Sequence, residues 1–169
     1  MSEWFSHFGF AQIADGLLAG AHPLDAHDVN QLAAERVEVA YNLCEDAEYD
    51  PGQRQAVQGA LAEARIEERR LPLPDHGGLS RESLDRAVDG LLAELEAGRR
   101  VYLHCRAGWQ RSAAVAAAVI ARREGIELHR ALAILRERKP GSEPLPHQLA
   151  DLIEWWLERY PPVRSERPD

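Results

Sequence analysis

A three-layer α/β fold, with a central mixed or parallel sheet flanked by helices, is predicted for this chain of 169 residues. Three observations predict it. Short strand-like runs alternate with helical patterns along the chain, as expected for strands joined by crossovers. One such run, "VYLHC" (101–105), passes through a six-residue turn into the alanine-rich "SAAVAAAVIA" (112–121), a helical stretch. A mix of 45% apolar and 28% charged residues is that of an ordinary globular core. The length suits a single domain, expected over 1–160, with "PPVRSERPD" (161–169) as a frayed tail.

Each element has its own local reason. "ADGLLAGAHP" (14–23) reads as a short strand or hairpin around Gly16 and Gly20, and "LDAHDVNQLAAERV" as a weak helix. "VEVAYNL" (37–43) alternates Val37, Val39, Tyr41 and Leu43 and predicts a strand. Asp50 before Pro51 reads as an N-cap followed by proline at the first helical position, opening a helix to about Arg65. "IEERRLPLP" (66–74) is a strand stopped by its prolines. From Ser80 a helix carries Leu84, Val88, Leu91, Leu92 and Leu95 on one face and stops at Gly98. Helices follow "VYLHC" at about 112–124, 127–138 and 147–159, separated by Gly125 and by "KPGSEPLP".

Charge and composition exclude several functions. A net charge of −8 repels polyanions, so neither nucleic acid nor an anionic membrane surface is an expected partner. The apolar stretch at 112–121 is about half of what a membrane span needs. The N-terminal "MSEWFSHFGF" shows no secretory pattern, and two cysteines make no disulfide framework, so a cytoplasmic location is expected.

The chemistry concentrates where "VYLHC" ends. Ligands bind at the carboxyl ends of strands in open α/β sheets, which places Cys105 at such a site. Backbone N–H groups between Cys105 and Arg111 can curl into a nest for a tetrahedral anion, helped by the N-terminus of the following helix. Gly108 supplies the freedom a tight cradle needs, and Arg111 offers a planar fork for two phosphate oxygens. The same groups stabilise a thiolate, so Cys105 is expected to attack the bound phosphorus. A cysteine at a strand end is more often a small buried hydrophobe. The full pattern His-Cys-x-x-Gly-x-x-Arg-Ser on a strand–loop–helix frame outweighs that reading.

"HCRAGWQRS" (104–112) resembles the phosphate-binding loop of the Cys-x5-Arg superfamily of protein tyrosine and dual-specificity phosphatases. "GLLAGAHP" is similar to the opening strands of the dual-specificity group, "LPLPDHGG" to its general-acid loop and "KPGSEPLPHQLADLIEWW" to its closing helix. "YNLCEDAEYD" (41–50) with "PDH" (74–76) resembles the phosphatase-and-tensin type of lipid phosphatase. The resemblance implies a phosphomonoester hydrolase with a cysteinyl-phosphate intermediate and no cofactor or metal. Cys105 is then the nucleophile. Arg111 and the loop amides of Arg106, Ala107, Gly108, Trp109 and Gln110 hold the phosphoryl oxygens. Asp75 protonates the leaving group and then activates water, and Ser112 hydrogen-bonds the departing thiolate. His104 orients the loop, Asn42 supports it from behind, and Cys44 corresponds to a cysteine that pairs reversibly with the nucleophile.

Alternatives stand beside several of these roles. "PDHGG" also reads as a simple turn, with Asp46 and Asp50 in reserve as the acid. His76 is a pocket residue or a solvated one. Trp109 stacks on substrate or packs under the loop, and Cys44 is equally a buried apolar side chain. The lipid type carries lysines in this loop; here Arg106 keeps one basic position and Trp109 replaces the other. Leu145 stands where an asparagine is common. Expected substrates are phosphotyrosine, then phosphoserine or phosphothreonine, in proteins; the alternative is an inositol phosphate, phosphoinositide or other small phosphate ester. A catalytically silent phosphate-binding module is disfavoured by the presence of both Cys105 and Arg111, and a rhodanese-type sulfurtransferase by the His-Cys and Arg-Ser pairs.

Overall fold

Burial with a period of two divides the core between the faces of one five-stranded sheet, seen in a computed structural model that describes residues 1–161. The strands are β1 (Phe10–Ala14), β2 (Leu17–Gly20), β3 (Val39–Asn42), β4 (Glu67–Arg70) and β5 (Val101–His104), in the order β1-β2-β5-β3-β4. Only the β1–β2 pair is antiparallel, so the sheet is mixed, as predicted. Leu17, Ala19, Val39, Tyr41, Val101 and Leu103 face one core; Leu18, Ala40 and Tyr102 face the other.

Helices cover both faces and complete the three layers. One face carries α1 (Glu3–Phe8), α2 (Ala26–Ala34) and α3 (Gln53–Glu63) through Phe5, Val29, Leu32, Val57 and Leu61. The other carries α4 (Arg81–Glu96), α5 (Arg111–Glu124), α6 (Leu128–Arg138) and α7 (Pro146–Arg159). The alanine-rich run belongs to α5, buried at every position from Arg111 to Ala121. Small side chains let this helix pass between the sheet and three neighbouring helices. Among the described residues no helix is long and apolar enough to cross a membrane.

Several boundaries differ from expectation. The first strand begins at Phe10 and the hairpin turns at Asp15–Gly16, with Gly20 closing β2. Asp50 is not a helix cap: α3 starts at Gln53, because Gly52, in a left-handed conformation (φ 80°), breaks the helical path after Pro51. The strand expected over 66–74 pairs only over Glu67–Arg70, and its charged residues suit a sheet edge. Ser80 caps α4 as expected, accepting a hydrogen bond from Ser83 N–H at 3.2 Å. Helix α1 had no counterpart in the sequence reading. The expected tail, 161–169, lies outside the described residues apart from Pro161.

Candidate active site

β5 is the middle strand, buried along its length, and it delivers Cys105 to the carboxyl edge of the sheet. Parallel neighbours β2 and β3 end at the same edge, in register with His104 through Gly20 and Asn42. The loop from Cys105 then turns into α5 at Arg111, as predicted. Its bend rests on two glycines. Gly108 (φ 73°) lies against the Gly20 backbone so closely that a Cβ would collide with the Gly20 carbonyl. The Arg106 carbonyl accepts from His22 N–H at 2.9 Å, tying the loop to the chain after β2. Among the described residues, the N–H groups of residues 106–110 donate to no backbone carbonyl, which leaves them free to line an anion nest.

Cys105 is 3% exposed, and its Sγ lies 3.2 Å from Ser112 Oγ at the start of α5. His104 is buried beneath the loop and stacks on Tyr102, the centroids 5.6 Å apart. Burial pushes its imidazole down to about 3, so it is a neutral structural ring.

Arg111 is 1% exposed, and carboxylates meet both usable edges of its guanidinium. Glu48 grips it end-on, Oε1 to Nη2 at 2.5 Å and Oε2 to Nη1 at 2.7 Å, and the Leu73 carbonyl takes Nη1 at 2.9 Å. The side-on edge is half filled: Asp75 Oδ1 lies 2.9 Å from Nη2, while Nε is buried without a partner among the described residues. A two-oxygen anion fits that edge, and the Asp75 oxygen occupies the place of one of its oxygens. Burial alone would raise the Glu48 carboxyl, but hydrogen bonds from Arg111 and the Glu45 backbone hold it below its ordinary value.

Asp75 arrives on the segment after β4, with Leu73 N–H bonded to the Leu43 carbonyl at 3.0 Å and Asp75 N–H to Glu45 at 3.0 Å. Helix α7 holds its far side through Gln148, which donates to the Gly77 carbonyl at 3.0 Å, and His147, 2.8 Å from the His76 carbonyl. His76, at φ 56°, pairs with Asp75 at 3.2 Å. A cleft of about 260 Å³ above Cys105 is lined by Asp75, His76, Trp109, Gln110 and Arg111, with Arg106, Ala107 and Trp4.

The remaining expected residues divide. Trp109 packs against Gly141 and Phe8 and is 38% exposed at the cleft, a position open to either of the expected roles. Gly108 turns toward Gly20 and does not line the cleft. Asn42 does not reach the loop: it accepts from Cys44 N–H and donates to Tyr49 and Glu68, each at 2.8 Å, and so secures the segment after β3. Asp46 pairs with Arg70, Asp50 is exposed, and neither lines the cleft. Leu145 precedes α7, whose Gln148 accepts its N–H at 3.1 Å. Cys44 is buried with Sγ 4.0 Å from His104 Nδ1, and burial pushes its thiol well up.

Two site residues escaped the sequence reading. Glu48 sits in the run "CEDAEYD", whose resemblance to the lipid phosphatases singled out Cys44 and left Glu48 without a role. Its one advance signal is position, in the segment following a strand that neighbours the nucleophile's. Trp4 had none, because α1 is too short to show a periodic face.

The dual specificity phosphatase catalytic domain model matches residues 25–157. Solved structures share the fold. Tk-PTP in its active form is 23% identical with a TM-score of 0.74, over 86% of this chain and 95% of that one. PTPMT1 in complex with PI(5)P is 25% identical with a TM-score of 0.76, over 88% and 95%. Human DUSP28 is 25% identical with a TM-score of 0.66, over 86% and 91%. No curated protein sequence matches the chain.

Proposed function

The chain belongs to the dual-specificity phosphatase family, and from that premise we propose how its own residues divide the work of a cysteine-dependent phosphatase. The substrate's phosphoryl group enters the nest and displaces Asp75 from Arg111, so that two of its oxygens lie on the Nε–Nη2 edge. The Cys105 thiolate attacks phosphorus as the bond to the leaving oxygen breaks, and Asp75, now free, gives that oxygen its proton. Water then attacks the thiophosphate, Asp75 takes the proton back, and Ser112 hydrogen-bonds the thiolate that leaves. Inorganic phosphate and unchanged enzyme result. The unpartnered Arg111 Nε, at the edge half taken by Asp75, is the observation that supports this reading best.

The proposed substrate is a phosphorylated protein, phosphotyrosine first. Besides Arg111, the cleft lining among the described residues has one cation, Arg106, and a multiply phosphorylated inositol ring calls for more. The complex of PTPMT1 with PI(5)P makes a phosphoinositide the second reading. A cytoplasmic location belongs to the same proposal, since a free thiol nucleophile works best under reducing conditions. Rates on a phosphotyrosine peptide, a phosphothreonine peptide and a soluble inositol phosphate test it together. Fastest turnover of the phosphotyrosine peptide, abolished in Cys105→Ser, is expected. A preference for the inositol phosphate transfers the substrate, and activity surviving in Cys105→Ser ends the mechanism.

A further inference from the structure

Helix α1 precedes the segment matched by the family model, which begins at residue 25, yet it forms one wall of the cleft above Cys105. Its Trp4 lines the cleft beside Arg106, His76 and Trp109. Three neighbours fix the Trp4 ring: Phe8 at 4.3 Å, His22 edge-on at 5.7 Å and the Arg106 guanidinium at 5.5 Å. Phe8 also meets Trp109 edge-on at 4.9 Å, so an unbroken aromatic surface runs from α1 to the phosphate loop.

A six-residue helix does not stand by itself. What holds this one is Asp28 of α2, a fully buried carboxylate. It accepts from Ser2 N–H and Ser2 Oγ, both at 2.6 Å, and from Leu24 N–H at 2.9 Å. Ser2 Oγ in turn caps α1 at Phe5 N–H, and Phe5 is buried against Tyr102. Burying a carboxylate is costly unless its hydrogen bonds are satisfied, and all three of these fix the approach to α1 and α2.

We propose that α1 is a substrate-recognition element, in which Trp4 and Trp109 select phosphomonoesters with an aromatic leaving group, the phosphotyrosine side chain above all, and Asp28 positions the helix. The inference rests on the phosphatase reading above and names the specificity of the same site. A phosphotyrosine ring holds its phosphate a full ring away from the peptide backbone and fills the space between nest and wall. Phosphothreonine, with its phosphate close to the backbone, leaves that space empty. Offset and edge-on contacts suit a ring entering beside two indoles. Arg106, turned to the Trp4 ring, keeps its charge near the nest while serving the wall.

Steady-state kinetics on phosphotyrosine and phosphothreonine versions of one peptide test the proposal in Trp4→Ala, Trp4→Phe and Asp28→Asn. Trp4→Ala is expected to lower kcat/KM for the phosphotyrosine peptide about three- to tenfold, mostly through KM, and to change the phosphothreonine peptide less than about twofold. Trp4→Phe should recover most of the loss, and Asp28→Asn should reproduce Trp4→Ala. If Asp28→Asn does not fold, the half-buried Trp4 variants carry the test alone. Equal losses on both peptides, or none on either, overturn the recognition role. Wild-type protein that hydrolyses no phosphate ester would instead overturn the phosphatase reading, so the two failures are distinct.

Discussion

The Glu48 carboxylate meets Arg111 end-on with two hydrogen bonds, 2.5 and 2.7 Å, and leaves the guanidinium's side-on edge to Asp75 in the cleft lining. A bidentate pair fixes the plane of both groups, which a single contact cannot do. Both side chains are almost wholly buried, so the pair is shielded from solvent screening. Removing one partner leaves the other's charge uncompensated.

Glu48→Gln is therefore expected to lower kcat/KM by about 10- to 100-fold, because a misdirected guanidinium no longer matches the phosphoryl oxygens. Inhibition by inorganic phosphate should weaken in parallel. Arg111→Lys, which loses both forks, should be nearly inactive. Unchanged phosphate inhibition in Glu48→Gln would show that the pair does not position Arg111.

Asp75, the proposed general acid, is bonded to Arg111 at 2.9 Å in the absence of substrate. Asp75→Asn should slow hydrolysis of substrates with poor leaving groups by about 10²–10⁴-fold. Activated aryl phosphates, whose leaving oxygen needs little protonation, should suffer much less. Apparent affinity for inorganic phosphate should rise in Asp75→Asn, since a neutral amide competes poorly for Arg111. Equal losses for both leaving-group classes would remove Asp75 from the role.

Legibility followed chain contiguity. Cys105, Arg111 and Ser112 were readable because the loop that joins them is continuous, and its strand–turn–helix frame has one geometry. Asp75 was readable from its place between a strand and a helix. Glu48 was not: only the pairing of β3 with β5 carries its acidic run to the Arg111 side chain. Trp4 and Asp28 depend on a contact between α1 and α2 that no periodicity announces. The misplaced cap at Asp50 failed for a local reason, since Gly52 adopts a left-handed conformation that Asp-Pro does not foretell.

His22 and His104 make the fold acid-sensitive. Burial is the main cause that pushes His22 down to about 4 and His104 to about 3. The unfolded chain binds a proton at each as pH falls below 6.5, while the folded chain does not. Their stabilisation is thus full above pH 6.5 and lost progressively below it, by about 2 kcal/mol for each histidine at pH 5. His22→Phe keeps an aromatic ring between Trp4 and Tyr49. Denaturant unfolding at pH 7 and pH 5 should show a drop smaller by about 2 kcal/mol in that variant. Identical drops in variant and wild type would refute the assignment.

Cys44 and Cys105 follow neighbouring parallel strands, paired through Asn42 and His104, which brings their backbones close. Their side chains differ in setting. Cys105 belongs to the core of Leu103, whereas Cys44 contacts His104 on the Tyr102 side of the sheet. A disulfide needs converging Cβ directions as well as near backbones. Hydrogen peroxide converts the Cys105 thiolate to a sulfenic acid, and attack by Cys44 then forms the disulfide and releases water. The raised Cys44 thiol makes that capture slow near neutrality and faster as pH rises. Peroxide-inactivated wild type should regain activity with dithiothreitol, more completely after oxidation at pH 8.5 than at pH 7, with a Cys44–Cys105 peptide visible by mass spectrometry. In Cys44→Ser the pH-dependent part of the recovery should vanish. Equal recovery in wild type and Cys44→Ser at both pH values would make Cys44 a packing residue alone.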